Sequence, residues 1–239
     1  MIDPDLSRTL AENLAAVRSR VERAVARSGR PAGTVRLVAI SKTFGPEHVR
    51  AVHAAGQIDF GENKVQEALE KREALADLDL RWHLVGHLQS NKAKKAAGPF
   101  ALIHSLDSVD LLARLDRAAG EAGRPVDALV QVDLAGEATK FGAVPADVPR
   151  LLDAATRAAH VRVVGLMLLP PWSEDPEPTR PYFRRLRQLR EEYLARGIPP
   201  AMLAELSMGM SHDFEVAIEE GATLVRVGTA IFGSRQARP

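Results

Sequence analysis

Short apolar runs rich in β-branched residues alternate with helical patterns along almost the whole chain. The first run covers residues 35–41 and is followed, after Gly45-Pro46, by a helical pattern that Gly56 ends. Strand–helix alternation implies a parallel sheet, and about eight such units within 239 residues favour a closed barrel over an open sheet. The sequence therefore predicts an α/β fold, a single (β/α)8 TIM barrel.

The predicted elements follow one another without a linker or a change of composition. An amphipathic helix over residues 5–28 comes before the first strand. The predicted strands are residues 35–41, 58–60, 81–85, 101–104, 128–134, 161–169, 202–208 and 223–227. We expect one domain over residues 1–239, with an extra N-terminal helix in 1–30 and the barrel in 31–239.

The charge composition shows no preference for a polyanionic partner. Basic and acidic residues nearly balance, with a net charge of +1, so neither nucleic-acid nor membrane binding is expected. No apolar run approaches the ~20 residues of a membrane helix, and the first residues do not have the pattern of a secretory signal. Cysteine is absent, which excludes disulfides, thiolate zinc sites and a cysteine nucleophile. We expect a cytoplasmic protein.

Lys42 directly follows the first predicted strand. Residues at the carboxyl ends of strands carry the chemistry in barrels and other α/β enzymes. A lysine at this position can extend its ammonium group to water, or it can be desolvated and form a Schiff base with a carbonyl compound. The stretch alone favours the first interpretation, so the second depends on the rest of the chain.

Two small-residue turns follow the last two predicted strands, at residues 207–211 and at Gly228-Thr229. Such turns present free backbone N–H groups, which bind phosphate well, and barrels often bind phosphate in the loops after strands seven and eight. The simpler interpretation is that Ser211 caps a helix and the glycines only turn the chain. Because both turns occur together, a phosphate site is the favoured hypothesis.

Other candidate sites are weaker. His83 and His87 have the spacing of zinc ligands on a helix, but their segment is a predicted strand and no third ligand is evident, so we expect no metal site. Glu62 and Glu67 fit helix capping better than an acid–base pair.

A Schiff-base lysine after the first strand and a phosphate site after the last two become neighbours when a barrel closes. A compound with an aldehyde on one side of a ring and a phosphate on a short arm would bridge them. Pyridoxal 5′-phosphate (PLP) is the evident candidate.

With these motifs the chain resembles the pyridoxal 5′-phosphate homeostasis protein family, which is similar to the barrel domain of alanine racemase without its second domain. The matching segments occur in order along nearly the whole chain. They are residues 39–43 (AISKT), 60–63 (FGEN), 66–67 (QE), 82–92 (WHLVGHLQSNK), 140–142 (KFG), 165–167 (GLM), 206–211 (LSMGMS) with Asp213, and 226–233 (RVGTAIFG).

The resemblance implies a set of cofactor-binding residues. Lys42 would hold PLP covalently as a Schiff base, Asn63 would line the ring, and Arg226 would face the pyridine nitrogen. The residues implied around the phosphate, partly through backbone N–H groups, are Ser207, Met208, Ser211, Gly228 and Thr229.

The implied position of Arg226 has a chemical consequence. A protonated arginine can only donate hydrogen bonds, so it disfavours protonation of the pyridine nitrogen. An unprotonated ring is a weaker electron sink, which limits carbanion chemistry. The alternative is an Arg226 that points outward into a salt bridge, but its parity with Gly228 on the strand favours the inward orientation.

The sequence favours a binding protein over an enzyme. A two-base racemase needs an acid or base on each face of the cofactor, yet the only tyrosines, Tyr182 and Tyr193, lie on the predicted helix 177–196, away from the strand ends. His87 is the best remaining candidate for a second base. The leading hypothesis is a non-catalytic protein of intracellular PLP homeostasis that buffers or delivers PLP. A PLP-dependent amino-acid racemase or related enzyme is the alternative, and a phosphosugar enzyme with a lysine Schiff base is a third.

The same hypothesis makes PLP-requiring apo-enzymes candidate recipients of the cofactor. The charged outer helices show no uncompensated apolar face, so we expect a monomer.

Overall fold

A computed structural model describes residues 3–136 and 141–234 of the chain. In this part, eight parallel strands close into a barrel in chain order, and the last strand pairs with the first. The strands are β1 (Arg36–Ile40), β2 (Asp59–Glu62), β3 (Arg81–Leu84), β4 (Leu102–Leu106), β5 (Val126–Gln131), β6 (Val161–Met167), β7 (Glu205–Ser207) and β8 (Leu224–Val227). The predicted (β/α)8 barrel is confirmed. Lys140, in the matching segment 140–142, lies outside the described residues.

Helices follow the strands and cover the outside of the barrel. The α-helices of the described residues are α1 (Pro4–Arg27), α2 (Pro46–Ala54), α3 (Val65–Ala74), α4 (Ala93–Ala96), α5 (Val109–Ala122), α6 (Val148–Ala155), α7 (Arg180–Ala195), α8 (Phe214–Glu219) and α9 (Thr229–Phe232). Short 3-10 helices occupy Ser90–Lys92, Glu177–Thr179 and Pro200–Leu203. Within these residues no helix combines the length and the apolar character needed to cross a membrane.

Strand side chains alternate between an inner and an outer layer, as the two-residue period of a strand requires. Leu37 and Ala39 of β1 lie in the large core between strands and helices. The inner apolar cluster consists of Val38, Ile40, Val85, Leu102, Leu129, Met167 and Leu224. Lys42 lies two residues beyond Ile40, at the carboxyl end of the inner row.

Helix α1 comes before the barrel and packs against α2, α8 and α9. Its start is stabilised by Asp3, whose carboxylate accepts the N–H of Asp5 at 2.9 Å, and by Pro4 in the first turn, where its missing N–H is not needed. Leu10, Leu14 and other residues of one helix face are buried. The predicted extra helix is therefore present, while the extent of the domain over residues 1–239 stays a prediction.

The segment before β7 differs from the prediction. The run 202–208 was expected to be one strand, but residues Pro200–Leu203 form a 3-10 helix and only Glu205–Ser207 form β7. Pro199 and Pro200 fix their backbone φ angles and supply no N–H for a strand ladder, which favours the turn of helix over a longer strand.

Candidate functional site

The carboxyl ends of four adjacent strands bring the sequence-predicted residues to one mouth of the barrel. β7 pairs with β8, β8 with β1, and β1 with β2. Arg226 lies on β8, Ser207 ends β7, Lys42 follows β1 and Asn63 follows β2. Strands one, two, seven and eight therefore place the proposed lysine, ring and phosphate residues side by side.

Lys42 is half-buried and stands before a strained residue. Thr43 has a φ of +72°, and it is the only non-glycine with positive φ among the described residues. A β-branched residue in the left-handed region is unfavourable and persists only where its surroundings determine it. The backbone directly after Lys42 is therefore held in a conformation that its own sequence disfavours.

Lys71, on helix α3, holds this backbone in place through hydrogen bonds. Its ammonium group, on the buried side of α3, donates to the carbonyl oxygen of Ser41 at 2.7 Å and to Oε1 of Glu67 at 2.8 Å. The same Glu67 oxygen accepts the N–H of Thr43 at 2.6 Å. Lys71 is therefore linked to the residues immediately before and after Lys42.

Glu62 completes this cluster. Its Oε1 accepts from Lys71 Nζ at 2.7 Å and from the Ser41 hydroxyl at 2.6 Å. Burial raises the pKa of Glu62 although Lys71 and Ser41 oppose the shift. Burial would also raise the pKa of Glu67, but hydrogen bonds from Lys71 and from the Thr43 N–H outweigh it and lower that pKa.

The helix-capping interpretation is wrong for Glu62, which is the last residue of β2. Glu67 does lie in the first turn of α3, as expected of a glutamate at a helix start, although the residue at the cap itself is Lys64. Sequence analysis missed Lys71, because a lysine inside a charged helix gives no local sign that it is buried.

The two small-residue turns meet at Ser211. Its hydroxyl oxygen accepts the N–H of Gly228 at 3.2 Å and the N–H of Ala230 at 3.4 Å. A Cβ on Gly228 would lie 3.2 Å from the carbonyl oxygen of Ile40, so this turn also touches the end of β1, two residues before Lys42. Thr229 is exposed beside it. Backbone donors from one turn and a hydroxyl from the other thus converge on one point.

Asp213 and Gly209 shape the turn after β7. Oδ1 of Asp213 accepts the N–H of Met210 at 2.6 Å, and the residue is fully buried. Its Oδ2 is buried without a hydrogen-bond partner, and burial raises the pKa of the carboxyl group. Gly209 has a φ of +91°, and a Cβ there would lie 2.8 Å from Cα of Phe214. The turn is therefore tightly packed against α8.

Arg226 lies inside the barrel, and the outward salt-bridge alternative is wrong. The residue is 4% exposed. One guanidinium nitrogen donates to the Ser207 hydroxyl at 2.6 Å and another to the carbonyl oxygen of Leu168 at 2.8 Å. Burial lowers the pKa of Arg226 to about 10, against a smaller opposing effect of Asp213, so the group is a cation at neutral pH.

Behind Ser207 a chain of polar side chains crosses the barrel interior. Nδ1 of His104 lies 2.9 Å from the Ser207 hydroxyl, and its Nε2 lies 2.9 Å from Nδ1 of His83. Nε2 of His83 lies 3.0 Å from Asp59, which also accepts an N–H of Arg81 at 2.6 Å. Asp59 and Arg81 begin β2 and β3, at the opposite mouth of the barrel.

Both histidines of this chain are neutral. Burial lowers the pKa of His104 well below its usual value, and the positive charge of Arg226 acts in the same direction. Burial also lowers the pKa of His83, although Asp59 opposes the shift. Sequence analysis noted His83 only as a possible metal ligand and missed His104. Among the described residues no group of three or more possible ligands could hold a metal ion.

Three other residues named from sequence lie in different surroundings. The N–H of Met208 donates to the carbonyl oxygen of Leu224 at 3.1 Å, and its side chain is in the outer core. His87 stacks on Phe141 with ring centroids 3.6 Å apart. Tyr193 is buried in the outer core, where its hydroxyl donates to the carbonyl oxygen of Pro145 at 3.3 Å.

Comparison with known proteins agrees with the architecture of the barrel. The family model of the alanine racemase N-terminal domain matches residues 13–236. The chain belongs to the alanine racemase N-terminal domain family, the class to which its eight-stranded parallel barrel corresponds.

Full-length relatives define the branch of that family. A pyridoxal phosphate homeostasis protein of Aquifex aeolicus is 48% identical over 225 residues, which cover 94% of this chain and 98% of the relative. The protein of that name from Pseudomonas aeruginosa is 44% identical, with 95% and 96% covered, and the one from Bos taurus is 40% identical, with 93% and 86% covered. The chain is a member of the pyridoxal phosphate homeostasis protein family, which confirms the resemblance.

Solved structures show the same relationship. PipY of Synechococcus elongatus, solved with PLP bound, has a TM-score of 0.83 and 43% identity, and the match covers 94% of this chain and 100% of PipY. The structure of PipY without PLP gives a TM-score of 0.84 and 44% identity over the same shares of the two chains. Alanine racemase of Corynebacterium glutamicum is 16% identical, with a TM-score of 0.71 over 96% of this chain and 62% of its own, and shares the fold.

Proposed function

We propose that this protein binds PLP as a Schiff base on Lys42 and serves intracellular PLP homeostasis by buffering the cofactor and delivering it. The observation that carries the proposal is that Lys42, Arg226 and the Ser211–Gly228 contact occupy neighbouring strand ends at one mouth of the barrel. Relatives that match over their whole length are named for PLP homeostasis, and PipY was solved with PLP bound.

The residues present suit the two ends of the cofactor. The point where Ser211 accepts from Gly228 and Ala230 already gathers backbone donors, and a phosphate oxygen can accept the same N–H groups. The buried guanidinium of Arg226 has five N–H donors and two are used by Ser207 and Leu168, so donors are available for a ring nitrogen. We assign Asn63, half-buried after β2, to the side of the ring.

The phosphate contacts are assigned to the residues whose donors suit them. We place Ser211, Gly228 and Thr229 at the phosphate. Ser207 belongs to the ring end, because its hydroxyl bonds with Arg226 and His104. Met208 contributes packing, because its N–H is used in the sheet.

Attachment to Lys42 requires no oxidant or reductant. Lys42 would hold PLP through its amine as a Schiff base, with water as the only other product. Because hydrolysis would reverse this attachment, the free aldehyde could be returned for delivery to PLP-requiring apo-enzymes. The hydrogen bonds from Lys71 to the Ser41 carbonyl and from the Thr43 N–H to Glu67 hold the backbone on both sides of Lys42.

The racemase alternative is less well supported. Arg226 disfavours protonation of the ring nitrogen, so the bound cofactor is a weak electron sink. Tyr193 is buried in the outer core, and the ring of His87 is stacked on Phe141. Neither is placed as the mobile second base that racemisation needs.

The attachment site is tested by reduction. Purified protein is expected to be yellow, and borohydride is expected to fix the cofactor to the peptide that contains Lys42, as mapped by mass spectrometry. Lys42→Ala should lose this label. Lys94→Ala is the matched control, because Lys94 is 83% exposed on its side chain and lies on the outer helix α4. A label on a different lysine, or a colourless protein that takes up no PLP, would overturn the proposal.

Carrier and racemase are separated by exchange at Cα. The protein is incubated with L-amino acids in deuterated water, and the products are analysed for deuterium and for the D-isomer. The proposal predicts no sustained turnover. Turnover that is abolished in Lys42→Ala would establish the enzyme instead.

A further inference from the structure

The hydrogen-bond chain behind Arg226 takes its direction from its two ends. Arginine has N–H donors and no acceptor, so Arg226 donates to the Ser207 oxygen over their 2.6 Å contact. At the other end the Asp59 carboxylate only accepts, so each neutral histidine ring donates from its Nε2 and accepts at its Nδ1. The Ser207 hydroxyl therefore donates to Nδ1 of His104, 2.9 Å away.

The position of the ring proton of His83 follows in the same way. Nε2–H of His104 donates to Nδ1 of His83 at 2.9 Å, so the proton of His83 is on Nε2 and is donated to Asp59 at 3.0 Å. Asp59 is a carboxylate that accepts from both His83 and Arg81. Every donor in the chain meets an acceptor while both imidazole rings remain neutral, which agrees with the lowered pKa of each ring.

This direction matters because both groups that accept hydrogen bonds from the buried Arg226 cation are uncharged, and the attraction of Asp213 only partly offsets the burial of the cation. The Ser207 hydroxyl and the Leu168 carbonyl that accept from it carry no formal charge. Burial of a cation without compensation is costly. In the chain, each polar group presents its accepting atom toward Arg226, and the carboxylate of Asp59 stands at the far end. Aligned bonds of this kind strengthen one another in a low-dielectric interior.

We propose that His104, His83 and Asp59 are positioning residues for Arg226. They act through Ser207: because His104 takes the hydroxyl hydrogen, the Ser207 oxygen stays available as an acceptor. That oxygen and the Leu168 carbonyl fix the plane of the guanidinium group, so that its remaining N–H groups are presented to the ring nitrogen of bound PLP. This inference rests on the proposed function, since it assigns a role toward the cofactor of that site.

The direction of the chain is tested first in the protein without cofactor. Long-range nitrogen–proton NMR spectra distinguish the two neutral tautomers of histidine from imidazolium. His83→Asn and His104→Asn variants assign the two signals. We expect both rings to be neutral with the proton on Nε2 at pH 7. An imidazolium, or a proton on Nδ1 of His104, would contradict the proposal.

The positioning role is tested at the far end of the chain with Asp59→Asn. Asparagine has the same shape as aspartate and keeps one accepting oxygen, so this substitution disturbs the fold least. Asp127→Asn is the matched control, because Asp127 also lies near the start of its strand and pairs with an arginine, Arg162, at 2.7 Å. Asp127 is not part of the hydrogen-bond chain between Asp59 and Arg226. The protein is loaded with PLP labelled at the ring nitrogen, and the chemical shift of that nitrogen is measured.

Asp59→Asn is expected to shift the ring-nitrogen signal and to weaken PLP binding about tenfold, which corresponds to one impaired hydrogen bond to a charged group. The control is expected to match wild type in both. A variant that is merely less stable, with the ring-nitrogen signal of wild type, would show a structural role and overturn the proposal. If wild type itself binds no PLP, the proposed function fails and the positioning role with it; normal loading with an unchanged signal overturns the positioning role alone.

Discussion

The ammonium nitrogen of Lys71 lies 2.7 Å from the carbonyl oxygen of Ser41, the residue immediately before Lys42. The backbone position of the proposed Schiff-base lysine thus depends on a second lysine, which is buried with only 5% of its surface exposed. The two lysines have different roles: Lys42 is the proposed attachment point of the cofactor, and Lys71 fixes the backbone beside it.

Lys71→Met should destabilise the protein strongly. Methionine has a similar length but leaves Glu62 buried without its ammonium partner, and loss of one member of a buried ion pair costs about 3–5 kcal/mol. Chemical denaturation at pH 7 measures the change. In the double variant Lys71→Met with Glu62→Gln, part of the loss should return, because the unpaired charge is removed. Lys64→Met, at the exposed cap position before the same helix, serves as the control and should stay close to wild type.

Thr43→Gly should be more stable than Thr43→Ala. Both substitutions remove the hydroxyl, but only alanine keeps the Cβ that makes a φ of +72° unfavourable. The left-handed conformation costs a residue with a Cβ about 1–2 kcal/mol, so the two variants should differ by about 1 kcal/mol in the free energy of unfolding. Equal stability of the two variants would show that no strain is stored after Lys42.

Gly209→Ala should disrupt the proposed phosphate turn. The new Cβ would lie 2.6 Å from Cβ of Ala217 and 2.8 Å from Cα of Phe214, so α8 must move. Gly123→Ala is the control, because Gly123 also has positive φ, +65°, but no atom within 4 Å of an added Cβ. The control should lose about 1 kcal/mol for the backbone conformation alone. Gly209→Ala should lose more than this and bind PLP more weakly, as measured by titration of the visible spectrum.

Glu220→Gln should lower stability at neutral pH and matter less in acid. Glu220 receives hydrogen bonds from Arg180 and Arg184. Burial would raise the pKa of Glu220, but these bonds outweigh it and lower the pKa below its usual 4.5. Since the folded-state pKa is depressed, the stabilisation is complete above pH 4.5 and is lost as the pH falls through the folded value.

The expected loss for Glu220→Gln at pH 7 is about 1.5–3 kcal/mol, as for hydrogen bonds to a charged group. Denaturation curves of wild type and variant at pH 7 and near pH 3 measure the difference between them. A gap that stays constant over this range would contradict the ionic origin of the stabilisation.

Much of the site was predictable because its signals are local. Lys42 follows an apolar strand, Gly228 and Ser211 stand in small-residue turns, and the parity of Arg226 with Gly228 directs its side chain inward. Strand–helix alternation was sufficient for the barrel, since each unit carries its own pattern. These inferences need only the sequence within one element and its flanking loop.

The supporting residues were not predictable for the opposite reason. Lys71 reaches Ser41 across thirty positions of sequence, and His104 reaches Ser207 across one hundred and three. The His104–Ser207 contact depends on how the closed barrel brings β4 and β7 together across its interior. The Lys71–Ser41 contact depends on the packing of α3 against β1 and β2. A buried lysine in a charged helix and a histidine in an apolar strand carry no sign of these distant partners.

The chain of side chains from Asp59 to Arg226 also bears on how protons travel through the molecule. A proton passes along a hydrogen-bonded row only if every bond in the row can reverse, with each donor becoming an acceptor. Arg226 cannot accept while it is a cation, so the row cannot turn over. The row therefore joins the two mouths of the barrel through hydrogen bonds but does not transfer protons between them. Protons therefore do not reach the Lys42 side of the barrel along this row.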